Sequence, residues 1–366
     1  MMPKTMKTAT VFKGPESDLT KVRVEISDIE IPTPKDGQVL IKVIVSGTNP
    51  KDWKVPVYMP EFGPHNTGDD IAGLVAAVGK GVTEFKVGDR VAAFHEMRTP
   101  FGSFAEYAVA WETTTFSLPD HTSFEEAATI PLAAMTAVVG LHARLNLPSR
   151  WETRSAEREA VEKGGIVVYG AAGAVGAFTI KFLSRANLHP IIAIAGKGIP
   201  FVETLLDTTK GDVVVDYRKG DDAVVKGIAD AVPNGQKLMY AFDTVSDNNS
   251  YTNIFKVLDP HGHITFVLPG KKYEGIPETV NDSITTVGSV HGKPDDLWDL
   301  GYAYFRLMSL GLKQGWFNGH PYEVIPGGLQ GVQQGLENLR DGKNSALKYV
   351  YRIEETEGYS GRNFEI

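Results

Sequence analysis

One segment constrains the fold of this chain more than any other: IVVYGAAGAVGAFTIKFL, residues 166 to 183. A short apolar run enters Gly170, Gly173 and Gly176, spaced G-x-x-G-x-x-G. It leaves into a pattern with Ala177, Ile180 and Leu183 three apart. That order reads as a buried strand, a tight glycine turn and a helix packed back on the strand. Glycine here permits positive φ and lets backbone N–H groups and the helix N-terminus converge on one point. Such a turn suits a bound phosphate, although glycine turns also serve packing alone.

The rest of the chain agrees with that unit. PIIAIAG, DVVVDY, KLMYAFD and HITFVL recur as buried strands, with helix-like segments in most of the gaps. Apolar strands alternating with helices indicate an α/β fold with a parallel sheet covered on both faces. Upstream, QVLIKVIVSG alternates apolar and polar residues, and DRVAAF and FAEYAVA continue as short strands between Gly and Pro turns. The first third is therefore β-rich. At 366 residues, two domains are expected. PSRWETRSAEREAVEKGG, just ahead of the glycine turn, is densely charged and reads as an exposed insertion rather than a functional helix. The tail EETEGYSGRNFEI reads as polar and peripheral.

Composition removes several function classes. With 42% hydrophobic and 22% charged residues the chain is ordinary for a soluble globular protein. A net charge of -8 argues against a nucleic-acid partner, which needs a basic face. No apolar run approaches a membrane span and MMPKTMKTATVFKG has no signal-peptide core, so no membrane association and a cytoplasmic location are expected. There is no cysteine. Disulfides, thiolate nucleophiles, iron–sulfur clusters and Cys-rich zinc sites are thereby excluded.

The strand after the glycine turn bears on which nucleotide fits. An NAD-binding dinucleotide fold usually places an acid about 20 residues on, to hold the ribose 2′-hydroxyl. Here that strand ends in Gly196, Lys197 and Gly198, with no acid at its tip. A carboxylate would repel a 2′-phosphate and an ammonium attracts it, so NADPH is expected. Tyr217 and Arg218, ending DVVVDYR, are placed to close on the same phosphate. Taken alone, Lys197 also reads as an ordinary surface lysine.

With these residues in hand, the chain resembles the zinc-free quinone oxidoreductase and enoyl reductase branch of the medium-chain dehydrogenase/reductase superfamily. Within it, the likeness is to the fungal ToxD-like, trans-acting enoyl reductases that work beside polyketide synthases. The motifs, in order, are GTNPKDWK, GDDIAGLVAAVGKGVTEFKVGDRVAAF, GSFAEYAV, AATIPLAAMTAVVGL, the glycine turn and NSALKYVYRI. The resemblance implies a GroES-like β-rich catalytic domain over 1–135 with a C-terminal return over 310–366, and a Rossmann doubly wound parallel-sheet domain over 136–309. It places the active site in the cleft between them.

The resemblance also implies site residues. Thr136 looks like the hydroxyl beside the nicotinamide or substrate. Gly170, Ala172, Gly173, Ala174 and Val175 would face the pyrophosphate, and Gly196, Lys197 and Tyr217 the adenosine end. Thr244, Val267, Leu268, Val290 and His291 lie in loops that would line the dinucleotide. Asn49, Pro50 and Lys51 from the early loop, and Lys348 near the end, would complete the cofactor contacts. Read by themselves, threonines and serines at strand ends are commonly turn formers, and Asn49 and Asp52 read as loop-shaping residues that bond the backbone.

Zinc-dependent relatives carry a cysteine in the early loop, a His-Glu pair ahead of the AG-V-AVG run and a four-cysteine lobe. This chain has Asp69-Asp70 where the pair would stand, and neither of the other two ligand sets. His65 and His95 have no partner at metal-ligand spacing. No metal is expected. As neighbours on an extended segment, Asp69 and Asp70 should point to opposite faces and serve structure.

Without a Lewis acid, alcohol oxidation loses its means of stabilising an alkoxide. Reduction of a conjugated carbon–carbon double bond suits the site better, with hydride from NADPH and donors aimed at the incipient enolate oxygen. Lys54 matches a lysine of the polyketide enoyl reductases. Tyr58 resembles the tyrosine acid of fatty-acyl enoyl reductases but stands about two residues early; either can equally be a loop residue facing water. The expected acceptor is a small-molecule enone, enoyl thioester or quinone, with a polyketide synthase carrier domain as a macromolecular partner. A monomer or a homodimer fits the family. Two alternatives stay open: an NADPH:quinone oxidoreductase, and a non-catalytic NADPH-binding protein of the same fold.

Overall fold

The computed structural model describes residues 4–15 and 21–359. These divide into two compact units, the first running to Leu132 and resuming at Gly288, the second being Ala133–Val287. The first and last residues of the chain, including the end of the polar tail, lie outside the described residues.

In the first unit, β1 (Thr5–Lys13) and β2 (Val22–Glu30) form an antiparallel pair of their own. The larger sheet is built on β3 (Gln38–Gly47), flanked by β4 (Asp70–Val78) and β6 (Tyr107–Trp111). β4 leads on to β5 (Arg90–Phe94) and β7 (Thr115–Ser117). β3 is covered on both faces. Val39, Ile41 and Val43 enter the main core, while Leu40 joins Met6, Ala76, Tyr107 and Val109 in a second cluster. The polar position Lys42 is buried as well, so the alternation of this strand does not mark a solvent face.

The second unit holds six parallel strands: β8 (Ile166–Tyr169), β9 (Ile191–Ala195), β10 (Val213–Asp216), β11 (Tyr240–Asp243), β12 (His263–Phe266) and β13 (Asn281–Ile284). Their order is β10-β9-β8-β11-β12-β13, the doubly wound Rossmann arrangement. Strand order reverses between β8 and β11, where such sheets hold ligands outside their carboxyl ends. β8 and β9 are buried throughout, as parallel strands covered by helices must be. The edge strand β13 is polar and half exposed, which hides it from a search for apolar runs.

The chain returns to the first unit at Gly288, ahead of the expected 310. The reason is helix Trp298–Gln314, which packs on β7 and the turn before it. Phe305 stacks on Phe116 at 5.5 Å, and Arg306 donates to the carbonyls of Thr115 and Glu112 and to Glu84 Oε2. β14 (Tyr322–Val324) and β15 (Lys348–Arg352) then complete the sheet, β15 lying antiparallel against β3.

Two local expectations change. Helical turns run in succession through Phe124–Arg144, making one stretch long and apolar enough to cross a membrane, contrary to the reading of the sequence; most of it is buried inside the protein. The charged insertion is not merely a solvated face either. Its helix Ala156–Gly164 is capped by Ser155, and Arg158 is buried, donating to the carbonyls of Glu152, Ser149 and Ala186. Those last carbonyls include the C-terminal turn of helix Ala174–Ala186, where a cation is favoured.

Candidate functional site

Two groups of predicted residues come together, one in each unit. In the first unit they gather around Asp69 and Asp70, at the start of β4. The extended backbone sends the two side chains to different partners, as their adjacency requires.

Asp70 Oδ1 accepts from the Leu132 backbone N–H at 2.7 Å; its Oδ2 accepts from Asn49 Nδ2 at 2.7 Å and Lys348 Nζ at 2.5 Å. Lys348 Nζ also donates to Asn49 Oδ1 at 3.1 Å and the Thr129 carbonyl at 3.3 Å. An ammonium has three N–H bonds, and all three of these are taken up within the protein. Lys348, expected beside a cofactor, here fixes Asn49 and Asp70. Asn49 is held once more, since its backbone N–H donates to Asp52 Oδ2 at 2.7 Å. Its loop-shaping role thus extends to both ends of its side chain.

Asp69 turns toward Lys51 and His95. Its Oδ1 bonds His95 Nδ1 at 2.7 Å and its Oδ2 pairs with Lys51 Nζ. Lys51 Nζ also donates to Asp52 Oδ1 and the Thr67 carbonyl, each at 2.6 Å. Lys51, expected to face cofactor, is in this structure the hub of an ion cluster with the buried carboxylates of Asp52 and Asp69. Burial alone would raise the Asp69 carboxyl, but Lys51 and His95 hold it below the usual range. Burial opposes charge on Lys51 too, and Asp52 with Asp69 outweighs it, so its ammonium is strengthened. For Asp52 burial dominates over Lys51, and its carboxyl is pushed up to about 7.

His95, read from the sequence as isolated, is the residue sequence reasoning missed here. Beyond Asp69, its Nε2 lies 3.0 Å from the Pro100 carbonyl and 3.2 Å from Thr99 Oγ1, which donates its own proton to the Glu96 carbonyl. Both ring nitrogens thus face oxygen atoms of the protein. Nothing in the spacing of Asp69 and His95 announces this pair, because β4 and β5 bring them together through sheet register. The His65 ring, by contrast, bonds the nearby Gly63 carbonyl. Among the described residues no three metal-ligating side chains converge; beside Asp69 and His95 the next charged group is the Lys51 ammonium.

The remaining early-loop candidates share helix Lys51–Tyr58, which buries Asp52, Trp53, Pro56 and Val57 and has Pro50 at its N-cap. Lys54 and Tyr58, four apart and so on one face, flank the Trp53 ring. Lys54 Nζ lies 5.8 Å from it and the Tyr58 ring 5.9 Å. Tyr58 is 64% exposed. Val290 and His291 sit in the short turn Val287–His291. Val290 is buried against Gly301. His291 Nε2 lies 3.2 Å from Thr114 Oγ1, and its Nδ1 is buried without a partner among the described residues.

In the second unit, Gly170 has φ +81° and closes the turn after β8. A Cβ on Gly176 would lie 2.4 Å from the Gly170 carbonyl oxygen, so the third glycine is what lets the helix start against the turn. Helix Ala174–Ala186 begins at Gly173 with no side-chain cap. Its first N–H groups are left for another acceptor, in the neighbourhood of Ala172, Ala174 and Val175. Thr244 braces the turn by donating to the Tyr169 carbonyl at 2.7 Å. A residue missed from the sequence holds the next loop: buried Asp243 accepts from Ser250 Oγ and from the N–H groups of Val245 and Ser246. Ser246 Oγ in turn receives the Val267 N–H at 3.0 Å, and the Leu268 carbonyl receives Tyr273 OH.

At the tip of β9 the Tyr217 ring lies across Gly196, where a Cβ would sit 2.5 Å from Cζ and 2.6 Å from the hydroxyl. Lys197 beside it is exposed. Arg218 does not join them. Its guanidinium forks onto Asp216 at 2.8 and 2.7 Å, and that bond holds the Asp216 carboxyl down to about 2. Thr136 lies almost buried in helix Pro131–Val138, immediately before the π-helical turn Val139–Arg144, a geometry common at functional sites.

Comparison with known proteins gives this arrangement a context. Residues 35–120 match the alcohol dehydrogenase GroES-like domain. The chain is 45% identical over 328 residues to a trans-enoyl reductase of Gibberella fujikuroi, covering 89% of this chain and 93% of the relative. It is 30% identical over 357 residues to a trans-enoyl reductase of Aspergillus sclerotiorum, covering 90% and 96%. Among solved structures, a putative zinc-dependent alcohol dehydrogenase from Rhizobium etli superposes with a TM-score of 0.78 at 20% identity, covering 95% of this chain and 98% of that one.

Proposed function

This chain belongs to the trans-enoyl reductases of the medium-chain dehydrogenase/reductase superfamily, and we propose that it uses NADPH, without zinc, to reduce the double bond of an α,β-unsaturated carbonyl or enoyl thioester. The nicotinamide supplies the hydride that adds to the β carbon.

The observation that carries the cofactor choice is the tip of β9. Gly196 and Lys197 stand where an acid would repel a 2′-phosphate; the Tyr217 hydroxyl is laid on Gly196, and Lys197 is exposed. The glycine turn fits the pyrophosphate for its own reason: the space that a Cβ on Gly176 would fill is closed, and the helix N-terminus is uncapped. Gly170, Ala172, Gly173, Ala174 and Val175 are its contacts in this reading, with Thr244, Val267 and Leu268 bracing the adjoining loops. The zinc-free assignment rests on the donor set. The Asp69–His95 pair is completed by the Lys51 ammonium, and a cation there disfavours a second one.

Lys54 and Tyr58 are the proposed proton donors, and Thr136 the hydroxyl beside the reacting carbonyl. Charge collects on that oxygen as hydride adds, and donors aimed at it lower the barrier. The acyl group is proposed to arrive on a polyketide synthase carrier domain. NADPH oxidation with enoyl thioesters, enones and quinones, free and carrier-bound, tests the reading. Turnover confined to quinones, or binding without turnover of any acceptor, would sink it. So would loss of turnover on dialysis against a chelator, restored by zinc.

A further inference from the structure

We propose that Arg98, seated over the ring of Phe62, binds the phosphate of the pantetheine arm on which an enoyl thioester arrives. The inference rests on the reading of the chain as an enoyl thioester reductase. It adds the group that recognises the end of the substrate remote from the double bond, and it concerns the first unit alone.

The arginine occupies a turn position that suits another residue. The Thr99 N–H donates to the Glu96 carbonyl at 3.2 Å, closing a turn with Met97 and Arg98 at its centre. Arg98 has φ +63°, while Met97 keeps a negative φ. That combination defines a type II turn, whose third residue is ordinarily glycine or asparagine. The turn is braced all the same. Thr99 Oγ1 donates to the same carbonyl at 2.7 Å, Glu96 Oε2 accepts from Trp111 Nε1 at 2.8 Å, and His95 Nε2 meets the Pro100 carbonyl at 3.0 Å. Strain that the surroundings hold in place points to a task for the side chain that bears it.

That side chain is presented for binding. Arg98 is exposed, and its Cζ lies 4.4 Å from the centre of the Phe62 ring, which is exposed as well. The ring steadies the guanidinium without occupying its N–H bonds. No carboxylate pairs with it among the described residues, since Glu96 is engaged by Trp111 and Glu61 beside Phe62 makes no ion pair. A planar fork of unpaired N–H donors on an aromatic face is suited to take a phosphate through two bonds.

The place of the pair selects the ligand. Phe62 closes a short turn on the Met59 carbonyl directly after helix Lys51–Tyr58. The chain from Tyr58 to Phe62 spans at most about 14 Å, a distance that an extended pantetheine arm covers. With the enoyl carbonyl at Lys54 or Tyr58, the far end of the arm falls near Arg98. An enone or a quinone brings no charge there. A pantetheine thioester brings a phosphate, whether the arm belongs to coenzyme A or to a carrier domain.

Initial rates test this with one enoyl group from the acceptor panel, attached in turn to pantetheine, phosphopantetheine, coenzyme A and a carrier domain. The unmutated protein should favour phosphopantetheine over pantetheine by about tenfold in kcat/KM, the difference lying in KM. In Arg98→Gly that ratio should fall to about one, and the coenzyme A and carrier esters should lose a similar factor. A loss on only one of those two names it as the source of the arm. Glycine suits the turn, so the urea midpoint of Arg98→Gly should hold or rise. A ratio near one in the unmutated protein overturns the proposal without recourse to a variant. So does a ratio that survives Arg98→Gly, or a difference carried by kcat. A lower midpoint together with equal losses on every ester would make Arg98 a residue of the fold, and overturns it too. No turnover of any ester would instead remove the reductase reading, and the proposal with it.

Discussion

Lys348 Nζ lies 2.5 Å from Asp70 Oδ2, joining the last strand of the first unit to the start of β4 across 278 residues of sequence. Both side chains are buried, and Asn49 and the Thr129 carbonyl complete the ammonium's partners. Removing one member of such a pair leaves the other charge uncompensated, at a cost of about 3–5 kcal/mol. Lys348→Met should therefore lower the urea midpoint sharply without a change in slope. Adding Asp70→Asn should restore part of the loss, because the stranded carboxylate is gone. Additive losses in the double variant would show that the pair contributes through separate contacts instead.

How much of this was legible in the sequence differs between the two units. The parallel strands β8 to β12 and the glycine turn are read directly, because a covered parallel strand is a continuous apolar run. β13 is not, since Asn281 and Asp282 face outward at the sheet edge. β1 and β2 go unread although VRVEISDIE alternates Val22, Val24 and Ile26 with polar residues, a signal that a search for period two would have found. In the site, sequence spacing cannot express what sheet register does. It suggests that Asp69 and Asp70 diverge, but it cannot supply His95, Lys51 or Lys348 as their partners. Nor can it show that a lysine matched to a cofactor contact spends its N–H bonds on protein.

Asp52 should leave a mark on the pH dependence of stability. Its carboxyl is raised by burial from an ordinary value near 3.8 to about 7 in the folded state. Between those values the folded protein holds a proton that the unfolded chain has released. This contribution is therefore largest at the acid end of the window and is lost as pH rises through it. The limiting slope is about 1.4 kcal/mol per pH unit. Urea melts at pH 5, 6, 7 and 8 should show stability falling with pH, and Asp52→Asn should flatten that slope. A slope unchanged in the variant would assign the effect to another group.

Cofactor selectivity should be reversible at one position. Lys197→Glu places a carboxylate at the tip of β9. NADPH should bind at least about tenfold more weakly through loss of attraction and gain of repulsion. NADH should bind no worse, the new acid being suited to a ribose hydroxyl. Isothermal titration with both nucleotides checks this. Parallel weakening of both would mean that the lysine serves the fold rather than the phosphate.

Lys54 and Tyr58 make the sharpest test of chemistry, because they share one face of helix Lys51–Tyr58. Lys54→Ala and Tyr58→Phe should each keep NADPH affinity within about twofold. At least one should cut turnover more than tenfold, within the range for a lost general acid or oxyanion donor. Tyr58→Phe retains the ring against Trp53, so a fall there isolates the hydroxyl; the high exposure of Tyr58 makes it the weaker candidate of the two. If Lys54 is the donor, the loss in Lys54→Ala should appear in kcat as well as kcat/KM, since the bond strengthens only as charge reaches the substrate oxygen. A rise in KM alone would make it a contact for the acyl chain or its carrier. Unchanged turnover in both variants would move the proton donor off this helix altogether.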